Sequence, residues 1–338
     1  MPREIFHWDV LERAVAKMPP GPLREAMQRH TDLAHLGAIA HDAPYYWRFG
    51  REAFSHAAEA LHGTQGQDTL LPLQLIAERI WRLDDISQRA ELCAFLAGML
   101  SHYATDVVLH PVVYFFTGDY NHPDAKERQL AQSRHRLFET YLDSYCRKRF
   151  RQQGEVLIGK FISSRRSAVE RICKILDSLP SPYGVVDSDS AGASWFGSLL
   201  YMARLQKVFF SAAVGSVIRI ADTICRRRLR NADALFSYCR WEADAFFDNA
   251  LNFGNPISGE SESNTVLALR DLAVNDFLIL ATRLEAQLAK QLAGDKEVTQ
   301  AGLFEGIAPR SLNCGVAEYA GKAPTHFSPQ PPPLGGMD

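Results

Sequence analysis

Residues 94–116 read AFLAGMLSHYATDVVLHPVVYFF. Apolar residues surround the whole helical projection of this stretch: Phe95, Leu96, Met99, Leu100, Val107, Val108 and Leu109. A helix apolar on all sides belongs inside a bundle of other helices. One stripe breaks the pattern. His102, Asp106 and His110 stand at i, i+4 and i+8, so they stack along one face with neighbouring Cβ atoms about 5–6 Å apart. Burying an acid and two imidazoles without partners is costly. Taken alone, the stripe reads equally as a metal-binding face or as a hydrogen-bonded polar stripe within a bundle.

Working outward, helical periodicity recurs in almost every long segment and alternation in few. Helices are expected near residues 6–17, 22–36, 51–61, 70–80, 87–116, 124–151, 154–179, 194–228, 232–252 and 263–292. Residues 37–50 and the linker 180–193 read as loops. The expectation is an all-α fold, a single multi-helix bundle over residues 1–293, followed by a weakly structured tail over 294–338. The tail ends in a Pro-Gly-rich run, Pro329 to Gly336, that lacks the apolar residues a core needs.

Composition narrows the class. Of 338 residues, 46% are hydrophobic and 22% charged, as in soluble globular chains. The formal net charge of −2 argues against nucleic-acid binding by bulk attraction. The six cysteines form no CxxC pair, so neither a disulfide framework nor a thiolate zinc site is suggested. The first residues lack the basic start and apolar run of a secretory signal, and no run of eighteen uninterrupted apolar residues exists. The expected location is cytoplasmic.

Ten of the eleven histidines fall between His7 and His135, a skew that points to one site assembled from the N-terminal part. His135 and Glu139 repeat the i, i+4 geometry on the next helix. Asp42 follows a helix in GAIAHDAPYY, and His56 lies fourteen residues later in AFSHAAEALHG. His41 and His62 are competing positions there. His7 stands on the first helix. Nitrogen and oxygen donors without thiolates suit zinc better than iron or manganese. Several ions sharing carboxylates suit phosphoryl displacement.

In order and spacing these residues resemble the zinc-dependent phospholipase C family. Its wider group includes secreted bacterial phosphatidylcholine-cleaving enzymes, P1-nuclease-like enzymes and the N-terminal part of glycosylphosphatidylinositol-specific phospholipase D. The resemblance spans about Phe6 to Asp143. His7 precedes Arg13-Ala14, and His30-Thr31-Asp32 leads through Leu36-Gly37-Ala38 to Asp42. Gly98, His102 and Asp106 match a Gly-x3-His-x3-Asp core, with His110-Pro111 at the spacing of the phospholipase D branch. His135 and Glu139 match the closing pair.

The resemblance implies zinc held by Asp42, His56, His102 and Asp106, and a second zinc held by His110, His135 and Glu139. His7 would serve a third site, bridged by Asp106. The secreted enzymes complete that third site with an N-terminal Trp where this sequence has Met1-Pro2. Asp42 would also be the catalytic residue, a general base toward water. Tyr45, Tyr46, Trp47, Phe54 and Tyr103 are pocket candidates, with core packing the plainer reading for most.

The function expected is zinc-dependent hydrolysis of phosphodiesters, phospholipids foremost. A phosphomonoesterase or nuclease with the same metals is one alternative, and a non-catalytic helical scaffold with structural zinc is another. Basic runs such as Arg147-Lys148-Arg149 and Arg226-Arg227-Arg228 read first as solvated helix ends. Peripheral contact with an anionic membrane is their other reading.

Overall fold

In the computed structural model, residues 4–49, 54–150, 157–185, 192–236, 244–292, 303–317 and 323–334 are described. The order is α1 (Glu4–Lys17), α2 (Pro22–Arg29), α3 (Thr31–Gly37), a 3-10 segment (Ala40–Phe49), α4 (Ser55–Leu61), α5 (Leu71–Trp81), α6 (Ile86–Thr117) and α7 (Ala125–Phe150). Then come α8 (Ile158–Ser164), α9 (Arg166–Asp177), α10 (Trp195–Phe209), α11 (Ala212–Ile224), α12 (Arg230–Asp233) and α13 (Asp244–Phe247). A hairpin, β1 (Leu251–Gly254) with β2 (Ser261–Asn264), precedes α14 (Val266–Leu292). The fold is all-α, as the periodicity predicts.

The quoted stretch lies in α6, the central rod. Asp85 caps it, accepting from Ser87 N at 2.8 Å and Gln88 N at 3.1 Å. Its 32 residues are apolar enough to cross a membrane, but 94% of its most apolar window is buried by protein. α14, α3, α2, α5 and α7 supply much of that cover. Two glycines let α3 approach closely. A Cβ on Gly98 would collide with the Ala34 carbonyl oxygen, and one on Gly37 with that of Phe95. Gly98 is therefore required by packing.

Four expected helices differ, the 154–179 helix breaking at Arg165 (φ −128°, ψ 28°) into α8 and α9. The 22–36 helix breaks at His30 (φ −118°, ψ 43°). The 194–228 helix ends at Phe210 and restarts when Ser211 caps α11. Among its described residues, the 232–252 helix is reduced to short turns and the first strand. Asn255 and Gly259 close that hairpin, with Gly259 at φ +72°. Each break is set by a local cap or turn that periodicity does not register.

The expectation of a weakly structured tail requires correction for residues 303–317 and 323–334. They form no helix, yet Leu303, Leu312, Cys314 and Leu334 are buried. Pro111 has no N–H to offer the Val107 carbonyl, and Gly315, at φ +70°, packs directly against that carbonyl. Thr69 Oγ1 donates to Arg310 O at 2.8 Å, and Arg310 N donates to the Tyr103 hydroxyl oxygen at 3.0 Å. The tail is thus held by specific partners. Residues 293–302, 318–322 and 335–338 lie outside the described residues.

Candidate metal centre

Asp106 is the midpoint of the site. From its place on α6 its carboxylate meets four imidazoles. His102 Nε2 lies 3.0 Å away, His62 Nε2 3.4 Å, His7 Nε2 3.5 Å and His110 Nε2 3.6 Å. Along α6, His102 and His110 are separated by a rise of about 12 Å and a rotation of roughly 80°. One stripe therefore serves two adjoining centres.

The first centre comprises Asp42, His62, His102 and Asp106, all buried, with one donor atom of each within 4.8 Å of the others. Asp42 arrives on the 3-10 segment, its Oδ1 3.2 Å from His62 Nε2 and 3.7 Å from His102 Nε2. Backbone carbonyls fix the ring orientations. His102 Nδ1–H donates to Ala38 O at 2.8 Å, and His62 Nδ1–H donates to Ala58 O at 2.7 Å. Each Nε2 lone pair is then turned inward, as a metal-ligating imidazole requires.

The second centre comprises His110, His135 and Glu139 within the same limit. His135 Nε2 is 3.0 Å from Glu139 Oε1, and His110 Nε2 is 3.8 Å from it. Both side chains of α7 reach inward one helical turn apart.

His7 joins these centres from α1. Its ring stacks on His102 with centroids 4.2 Å apart, and His41 stacks on the opposite face of His102 at 4.5 Å. α1 is pinned by Asp143, four residues beyond Glu139, whose carboxylate accepts from Ile5 N at 3.3 Å and Phe6 N at 3.1 Å. A carboxylate at a helix N-terminus is favourable in both hydrogen bonding and dipole.

The donor set fits zinc. Among the described residues, Asp42 Oδ1, both oxygens of Asp106 and the Nε2 atoms of His7, His62, His102 and His110 have no hydrogen-bond partner of sound geometry. Yet these atoms converge at close range. Buried polar atoms are ordinarily paired, and a cation at the convergence would satisfy them together. Imidazole and carboxylate without thiolate is a zinc donor chemistry.

The family model for zinc dependent phospholipase C matches residues 6–183, a little over half the chain. The chain belongs to this family. No curated protein and no solved structure matches it. Family membership and the two buried donor groups support a zinc-dependent, phospholipase-like hydrolase, and the two groups could each hold zinc.

Of the expected phospholipase C ligands, the structure brings together His7, Asp42, His102, Asp106, His110, His135 and Glu139. It does not bring His56. That residue is half-buried on α4, its ring edge-on to Phe54 at 5.9 Å. His62 occupies the expected place. The buried face of α4 carries Ala57, Ala58, Ala60 and Leu61, and His62 extends it four residues past Ala58. His56 and Glu59 lie on the more exposed side. The apolar face of α4 was the signal that could have selected His62.

Charge divides the centres. His62 is raised to about 9: burial opposes its charge, but the Asp106 and Asp42 carboxylates outweigh it. His102 is raised by the same balance. Burial holds His110 and His135 well below the usual imidazole range and His7 down to about 3. Asp106 stays well below the carboxylate range, because its imidazole neighbours overcome burial.

Aromatic rings surround the second centre. Tyr114 and Tyr120 each sit 5.1 Å from His135, and Tyr45 sits 5.8 Å from His62. Trp47, Phe54 and Tyr103 are buried in core packing.

Proposed function

We propose that this chain hydrolyses phosphodiesters, with phospholipids as the substrate class, using zinc at the two centres. The supporting observation is the pair of buried donor groups meeting at Asp106. Asp42, His62, His102 and Asp106 would hold one ion, and His110, His135 and Glu139 the second. His7, beside Asp106, is the protein ligand nearest a third position. Zinc, when bound, lowers the pKa of water and neutralises phosphate oxygens.

Asp42 is the proposed general base. Its carboxylate takes a proton from water as the water oxygen bonds to phosphorus, and the departing alcohol oxygen takes a proton from solvent as its bond to phosphorus breaks. His62 and His102 are held by the Ala58 and Ala38 carbonyls, so the geometry is in place before substrate arrives. Burial pushes the Tyr45 phenol well above its usual value. It therefore stays a hydrogen-bond donor beside a phosphate. The largely buried rings of Tyr45 and Tyr120, each with an edge open to solvent, provide apolar walls for an organic substituent.

Metal analysis with a substrate panel tests this reading. The expected result is two zinc ions bound and hydrolysis of a short-chain phospholipid, abolished by Asp42→Asn. Cleavage of single-stranded nucleic acid or phosphomonoesters alone would replace the phospholipid reading. Full zinc with no hydrolysis of any substrate would make the metal structural.

A further inference from the structure

We propose that the outward face of α11 docks on an anionic phospholipid surface. This deepens the phospholipid reading and rests on it for the choice of partner.

α11 is amphipathic in the inverted sense. Ala213, Val217, Ile220 and Ile224 fall at i, i+4, i+7 and i+11, one stripe of the helix. That stripe faces outward: Val217 is 64% exposed, Ile220 61% and Ile224 76%. Val214, and Val208 at the end of α10, extend it. The inward side holds Gly215, packed on the Phe236 ring, and Asp222. A helix in a water-facing position ordinarily turns its branched apolar side chains inward and its acid outward. α11 does the opposite.

The surrounding charge selects the partner. The only acid of α11, Asp222, is buried. Immediately beyond Ile224, Arg226, Arg227 and Arg228 are all exposed, and Arg204 and Lys207 are exposed on α10. Asp222 builds the basic turn, accepting from Leu229 N at 2.7 Å and Arg227 Nη1 at 3.2 Å. Arg226 and Arg227 take left-handed φ values of 52° and 64°. Non-glycine residues hold that conformation only where surrounding structure enforces it. Branched apolar side chains flanked by cations are the composition of a helix lying at the boundary of anionic headgroups and acyl chains.

The face is coupled to the metal centre. α10 packs on the 3-10 segment that carries Asp42. At the other end, Thr140 Oγ1, one residue past Glu139, donates to Ala234 O at 2.7 Å. Docking at α11 would fix the distance of the centre from the lipid surface.

The test is co-sedimentation of the full chain with vesicles of phosphatidylcholine alone or mixed with phosphatidylserine. Light scattering and hydrolysis of a soluble short-chain substrate run alongside. The wild-type chain is expected to bind the mixed vesicles and to release them at high salt. The triple variant Val217→Ser, Ile220→Ser, Ile224→Ser should lose binding at least about tenfold. Arg226→Glu with Arg228→Glu should lose the preference for phosphatidylserine. Both variants should hydrolyse the soluble substrate at the wild-type rate.

Absent wild-type binding, or unchanged binding by both variants, would overturn the proposal. A wild-type dimer that the triple variant converts to monomer, without change in vesicle binding, would reassign the face to self-association. Vesicle binding without hydrolysis of any phospholipid upholds the surface while removing the substrate reading. Hydrolysis of the soluble substrate without vesicle binding does the reverse.

Discussion

The two donor groups share a helix but are built differently. The Asp42, His62, His102 and Asp106 centre draws on three separated segments and sets two carboxylates against two imidazoles. Its histidines are locked by backbone carbonyls and lean toward the charged form. The His110, His135 and Glu139 centre comes from two adjacent helices and has one carboxylate for two imidazoles. Its histidines are held neutral by burial. An acid-rich centre assembled over long range stands beside a neutral-leaning one assembled by helix periodicity. Asp106 belongs to the first and touches His110 of the second at 3.6 Å.

Removing Asp106 should therefore erase the difference. Asp106→Asn is expected to reduce zinc at both centres and lower activity by more than about a hundredfold, since even indirect partners of metal ligands are worth 10–100-fold. Glu139→Gln should empty the second centre alone. Zinc stoichiometry by atomic emission distinguishes the two. A single ion lost from Asp106→Asn would show that the centres are independent.

The first centre can be broken by itself. His62→Ala should remove one zinc and at least about tenfold of activity, whereas His56→Ala should leave both zinc content and rate unchanged. The reverse outcome would make His56 the ligand in place of His62.

That contrast marks how much was legible in the sequence. The α6 stripe and the α7 pair are readable because both donors of a pair lie on one helix four residues apart, a spacing fixed by backbone geometry. Asp42 is readable through its order in the chain. Choosing His62 over His56 depends on which side of the short helix α4 faces the core. Its apolar face of Ala57, Ala58, Ala60 and Leu61 points to that side, and packing from distant segments fixes it. Leu312 N and Ser311 Oγ donate to the His62 carbonyl at 3.0 and 3.4 Å, from a tail some 250 positions away. No local pattern encodes that contact. The same limit applies to α11, whose inward and outward faces were set by the break at Phe210–Ser211. The all-helical class was legible throughout, since buried periodicity survives such breaks.

A smaller effect tests how the first centre is positioned. Gly98→Ala places a methyl against the Ala34 carbonyl and pushes α3 from α6. Overpacking of this kind costs about 1–3 kcal/mol. His102 depends on Ala38, at the end of α3, for its Nδ1 acceptor, so zinc affinity at the first centre should fall before that at the second. Thermal unfolding and zinc competition titrations measure the two effects. Equal loss at both centres would show a global rather than a positional effect.

The mildest expected effect separates the centres without altering any ligand. In zinc-free protein, His62 has a folded value of about 9, above the unfolded value of about 6.5. Its stabilisation is complete below the unfolded value and is lost as pH rises through about 9. His7, lowered to about 3 by burial, behaves oppositely. Its stabilisation is present above the unfolded value and is lost as pH falls toward about 3, and His110 and His135 act in the same direction. The unfolding midpoint of zinc-free protein should therefore decline by a few degrees on either side of neutrality. His62→Gln should flatten only the alkaline limb, and His110→Gln only the acid limb. If His62→Gln changed the acid limb instead, the carboxylates of Asp42 and Asp106 would not be holding its proton, and the charge contrast between the centres would be lost.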